Sequence, residues 1–264
     1  MSSSDYDDYL LSEKKRYKEK YDQAIIFDGY TDAKTWDSLD SNNEAKICYL
    51  LKEPHDSDPD ISLTKYNDAC EKWLIKGKYG VFYNNFILFS KAILDTIQGK
   101  NVTKYSIASL TINEKRLLYK RIALINVKKT NGTSDSSDGK FNSFADDYLK
   151  NGLISLNPDI LVLGGTSYSF ELMYPAPNLY YPKDKIQYLG DDNGIWWFYF
   201  LKDGFDGKGG TKLIIDFYHL SSRVNSLLYM LLLNKIILSA IDYMTSHKDL
   251  FKDTRLFKAL CKNF

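Results

Sequence analysis

Five side chains in three short segments have the types and setting to do chemistry. Glu53 and His55 lie in Leu51-Lys-Glu-Pro-His55, Asn126 ends Ala123-Leu-Ile-Asn126, and His219 and Arg223 lie in Tyr218-His-Leu-Ser-Ser-Arg223. A carboxylate can orient a water or stabilise a developing cation. A carboxamide presents a donor and an acceptor side by side, which suits a heterocycle edge. A histidine can donate to a developing oxyanion, and an arginine can hold a phosphate. The combination suits cleavage of a bond between an electron-poor carbon and a leaving group that departs as an anion.

Each segment follows a short, continuous apolar run, 47–51, 122–127 and 213–217, and a fourth such run, 159–163, ends at Gly164-Gly165-Thr166. Runs of this length read as buried strands. Helical spacing is found between them at 62–76, 83–98, 113–118 and 141–154, and again at 221–244, with Ser221 as the expected N-cap of the last helix. Alternating strands and helices predict a mostly parallel sheet covered on both faces. In such sheets ligands bind at the carboxyl ends of the strands, so the segments are expected to converge on one rim. Residues 1–12 read as a tail, 12–28 as a charged helix capped by Ser12, and 31–43 as a short helix. A further strand is expected over 194–201, and loops over 131–140 and 174–185.

The bulk composition narrows the classes. The 264 residues are 44% hydrophobic, enough for one sizeable core. A net charge of +1 excludes a globally basic nucleic-acid binder, so any basic surface must be local. The three cysteines, Cys48, Cys70 and Cys261, have neither metal-site spacing nor a disulfide pattern, which points to a reducing, intracellular setting. The amino terminus is polar and lacks the apolar stretch of a signal peptide. The most apolar segment, 227–241, is interrupted by Asn234 and Lys235, so no membrane span is expected.

Taken in order, the segments resemble the motifs of the uracil-DNA glycosylase superfamily. Leu51-Lys-Glu-Pro-His55 is similar to the first-strand water-activating motif, and Ala123-Leu-Ile-Asn126 to the second-strand motif whose asparagine reads the base. Asn157-Pro-Asp-Ile-Leu-Val-Leu-Gly-Gly165 resembles the strand before the last motif, and Tyr218-His-Leu-Ser-Ser-Arg223 the late histidine motif. The resemblance runs from roughly residue 45 to residue 240. Leu220 replaces the usual proline after the histidine, Glu53 replaces an aspartate, and the iron–sulfur cysteines of other branches are missing.

The resemblance implies a three-layer α/β/α sandwich with a central, mostly parallel four-stranded sheet. It would form a single domain over 1–264 with an N-terminal helical extension over about 1–44. It implies hydrolysis of the bond between a flipped, uracil-like or modified pyrimidine and its sugar in DNA. Glu53 would orient water or stabilise the sugar cation, Asn126 would read the base and His219 would support the leaving base. Phe82, Tyr83 or Phe86 would stack on it. Lys128 and Lys129, with His55, Ser221, Ser222 and Arg223, are candidate DNA contacts, and Gly165-Thr166 resembles a phosphate-cradling turn. No metal or other cofactor is implied, and a monomer with DNA as partner is expected. Two rival functions share the fold: a module that binds DNA or a base without cleaving it, and a hydrolase of free nucleosides or nucleotides.

Overall fold

The computed structural model describes residues 3–52, 80–102, 107–130, 144–182, 197–221 and 225–262. Its frame is one mixed sheet of seven strands: β1 (Gly29–Tyr30), β2 (Ile47–Leu51), β3 (Ile122–Asn126), β4 (Ile160–Gly164), β5 (Leu179–Tyr180), β6 (Phe198–Leu201) and β7 (Lys212–Phe217), in the order β1-β3-β2-β4-β7-β6-β5. The four expected strands are its contiguous parallel centre, β3-β2-β4-β7. The sheet is wider than the four strands expected, because β1 adds antiparallel to β3 and the β6–β5 pair adds antiparallel to β7. β1 and β5 have two residues each, too few to produce a periodic signal. β6 starts at Phe198, and residues 194–196 of the expected strand lie outside the described residues.

Alternation along the central strands fills two separate cores. In β2, Ile47, Tyr49 and Leu51 face one cluster and Cys48 and Leu50 the other. Helices cover both faces. On the first lie α3 (Val81–Ile97), α4 (Ile112–Lys120), α7 (Ser226–Ser246), α8 (Lys248–Phe251) and α9 (Arg255–Leu260). On the second lie α1 (Ser3–Tyr21), α2 (Ala33–Ser41), α5 (Asp147–Leu156) and α6 (Ser167–Met173). α7 is long and apolar enough to cross a membrane by length and composition, with a mean hydropathy of 1.5, but half of that stretch is buried in the molecule. Its apolarity has a local cause: Met230, Leu233, Ile236, Ile237 and Ala240 pack into the first core with no exposure.

Two expected helix starts are corrected. Residues 3–12 are helical, and Ser12 sits inside α1, donating to the Tyr9 carbonyl at 2.7 Å rather than capping an end. Tyr6, Tyr9 and Leu10, at helical spacing, are buried there and give this segment a packing face. α1 packs on α5 through Arg16, which bonds both Glu13 and the α5 N-cap Asp146 at 2.7 Å. Likewise, α7 starts at Ser226 under an Asn225 cap, so Ser221 does not cap it.

Opposite the carboxyl ends of the strands, their amino ends are tied together by one carboxylate. Asp159 is fully buried. It accepts from the Lys46 backbone N–H at 2.9 Å and from Arg255 Nη1 at 2.5 Å, with Lys212 Nζ at 4.0 Å. Arg255 Nη2 also donates to the Glu44 carbonyl at 2.7 Å, so α9 is joined to the feet of β2, β4 and β7. Removing one member strands a buried charge. Asp159→Ala is expected to lower unfolding stability by about 3–5 kcal/mol, measured by urea denaturation, whereas the exposed Asp253→Ala should change it by less than about 0.5 kcal/mol.

Candidate functional site

The carboxyl ends of the four parallel strands form one edge, and the expected Asn126, Gly165 and His219 lie along it in strand order, with Lys52 among them. Asn126 ends β3, Lys52 follows β2, Gly165 follows β4, and Tyr218-His219 follow β7. Three strand spacings separate the first from the last, about 14 Å. Glu53, the next residue after Lys52, lies outside the described residues, as do His55, Ser222, Arg223 and the 131–140 loop.

His219 is set by its own loop. The Ser221 backbone N–H donates to His219 Nδ1 at 3.2 Å, and Ser221 Oγ is 2.7 Å from the same nitrogen. A backbone N–H can only donate, so Nδ1 carries a lone pair and the neutral ring bears its proton on Nε2. Ser221 therefore fixes a tautomer rather than capping a helix. The loop is held from α3 by Asn85 Nδ2, which donates to the Leu220 carbonyl at 2.7 Å. Of the three aromatic candidates, Phe86 has no exposure and Tyr83 is 7% exposed. Phe82 is half-buried, and its ring centroid is 6.4 Å from that of His219. Helix α3 thus brings an aromatic face and the histidine to the same end of the rim.

Gly165 stands at φ +69°, a conformation that favours glycine, and its N–H donates to the Phe217 carbonyl at 3.0 Å, tying the turn that follows β4 to the end of β7. A Cβ at this glycine would lie 3.7 Å from Lys52 Cε and 4.0 Å from His219 Cβ, so three strand ends meet there. The Thr166 hydroxyl does not face a ligand: it donates to the Leu50 carbonyl at 2.9 Å and is 3% exposed. The expected phosphate-cradling role of Thr166 gives way to a tie between β4 and β2.

Two further expectations change at the β3 end. Lys129 has no exposure, and its Nζ is 2.8 and 3.0 Å from the carboxylate oxygens of Asp28. It is an internal counter-ion and does not present its ammonium to a DNA backbone. Asp28 Oδ2 also accepts from the Asn126 N–H at 2.6 Å and from Asn126 Nδ2 at 3.1 Å, while Tyr6 donates to Oδ1 at 2.8 Å. A carboxylate only accepts, so the carboxamide nitrogen must face Asp28, and this fixes the orientation of the Asn126 side chain. Lys128 stays at the rim, half-buried, with its N–H donating to the Lys52 carbonyl at 2.9 Å.

Sequence reasoning passed over Asp28, whose partners are distant in the chain, and also Asp216. Asp216 lies in β7, on the same face as Ile214, which is paired with Tyr199. Burial raises its carboxyl to about 6, and nearby Glu171 adds to the rise while a hydrogen bond with Ser167 opposes it. The Tyr199 hydroxyl, in the same electrostatic neighbourhood, is buried without a hydrogen-bond partner among the described residues. The acidic residue inside Leu213-Ile-Ile-Asp-Phe217 was the available signal.

Two outcomes are expected. The fold holds Asp216 protonated to a higher pH than the unfolded chain does. That contribution is therefore complete below the ordinary carboxylate value of 3.8 and is lost as pH rises through about 6. Asp216→Asn should flatten the stability–pH curve between pH 4 and 6 and leave the variant more stable at pH 8, by about 2–3 kcal/mol. In contrast, Lys129→Met leaves Asp28 buried without its cation and should cost about 3–5 kcal/mol. Both are read by denaturant titration across pH.

Comparison with protein-family models gives no match for this chain, and comparison with curated proteins gives none.

Proposed function

We propose that this chain is a DNA glycosylase of the uracil-DNA glycosylase type, an α/β/α sandwich that hydrolyses the bond between a flipped pyrimidine and its deoxyribose. The observation that carries this reading is the rim. Strand order β3-β2-β4-β7 sets a carboxamide, Lys52, a glycine turn and a histidine along one edge, with Phe82 beside the histidine. The breaking C1′–N bond sends its electron pair into the base, and the resulting charge gathers on a carbonyl oxygen. The Nε2–H of His219 suits that oxygen, because Ser221 holds the opposite nitrogen as an acceptor. Phe82 supplies an apolar face for the ring. The Glu53 carboxylate offsets the sugar cation and takes a proton from the water that attacks C1′.

The rival reading is a module on the same fold that binds DNA or a base without cleaving it. The product separates the two. Alkali treatment of uracil-containing and modified-pyrimidine duplexes should reveal abasic sites after incubation with the unmutated protein. His219→Ala and Glu53→Gln should each slow their appearance by about a hundredfold or more. Binding without abasic sites would establish the module, and equal rates in all three proteins would remove the assigned residues from the chemistry.

A further inference from the structure

Lys52 occupies the middle of the rim in strand order, between Asn126 and His219. Its backbone is fixed by the N–H of Lys128, which extends the β2–β3 pairing by one residue. Its side chain leans across the rim: Cε lies 3.7 Å from the point a Cβ of Gly165 would occupy, a point 4.0 Å from His219 Cβ. The ammonium is one bond beyond that carbon. Lys52 is half-buried, so its cation belongs to the edge of the site. The neighbouring histidine, with its proton on Nε2, brings a donor but no charge.

From this juxtaposition we infer that Lys52 is the cation that binds an oxyanion of the substrate at the corner formed by Gly165 and His219. The inference rests on the glycosylase reading and adds to it a residue and a ligand chemistry. The oxyanion has two sources in a nucleotide: a backbone phosphate, or the carbonyl oxygen that gains charge as the base leaves. In the second case the C1′–N electron pair enters the base, water supplies the hydroxyl to C1′ and its proton passes to Glu53. In either case the conservative Lys52→Arg should recover most of what Lys52→Gln loses.

The experiment compares the unmutated protein, Lys52→Gln and Lys52→Arg in single-turnover excision from duplexes carrying uracil or the better leaving group 5-fluorouracil, with affinity measured over a range of salt. A base oxyanion predicts that Lys52→Gln lowers the excision rate about a hundredfold for uracil and distinctly less for 5-fluorouracil. A phosphate predicts an unchanged excision rate at saturation, weaker binding, and a salt slope shallower by about 0.9. Lys52→Gln with the unmutated rate, affinity and salt slope overturns the inference and leaves the glycosylase reading intact. Equal losses on both bases with an unchanged salt slope also overturn it, as a structural effect. Binding by the unmutated protein with no excision overturns the glycosylase reading, and Lys52 then stands or falls on the salt slope. Absence of both binding and excision overturns both.

Discussion

The Asp28–Lys129 ion pair is the interaction on which the arrangement of the β3 end depends. Neither side chain has meaningful exposure, so neither charge is tolerable without the other. The pair draws in Tyr6 from α1, the backbone and amide of Asn126, and through the Lys129 N–H the hydroxyl of Tyr17 at 3.1 Å. It therefore joins the first helix, the edge strand and the end of a central strand at one point. A hydrophobic contact could supply comparable stability, but it would not fix which way a carboxamide faces. The carboxylate does so, because it accepts hydrogen bonds and never donates them.

The two ends of the sheet are built differently. At the amino ends, Asp159, Arg255 and Lys212, with the backbone N–H of Lys46, form a charged knot that binds strands and the last helix. At the carboxyl ends the contacts are local and directional: Ser221 on His219, Asn85 on the Leu220 carbonyl, Thr166 on the Leu50 carbonyl. The first kind holds the frame, while the second orients individual groups upon it. Gly165 belongs to both, since its N–H ties the end of β4 to the end of β7 and its missing side chain leaves space over which Lys52 passes.

The central strands were legible because strands buried on both faces must be apolar throughout, and Ile122–Ile125 and Ile160–Leu163 are. The edge strands were not, since two residues cannot display alternation. The packing face of α1 was written in Tyr6, Tyr9 and Leu10 but hidden among aspartates and serines that resemble a tail. Lys129 misled for a different reason. A lysine in a polar stretch is ordinarily solvated, and its burial follows only from Asp28, about a hundred residues earlier, which no local pattern connects to it. Asn126 and His219 were identifiable as rim residues from the runs that precede them. What holds each in place, Asp28 for one and Ser221 for the other, came only from the geometry.

The pairing of Gly29 with Leu124 carries a consequence for biogenesis. Strand β1 has no partner until β3 has been synthesised, and the central β2 must wait longer still, for β4, before both of its edges are covered. Residues 28–51 thus emerge before the partners that bury their apolar side chains and the Asp28 carboxylate. Assembly dominated by such distant pairings is slow and exposes strand edges meanwhile. Residues 28–51 are consequently open to wrong strand pairing until β3 and β4 follow them.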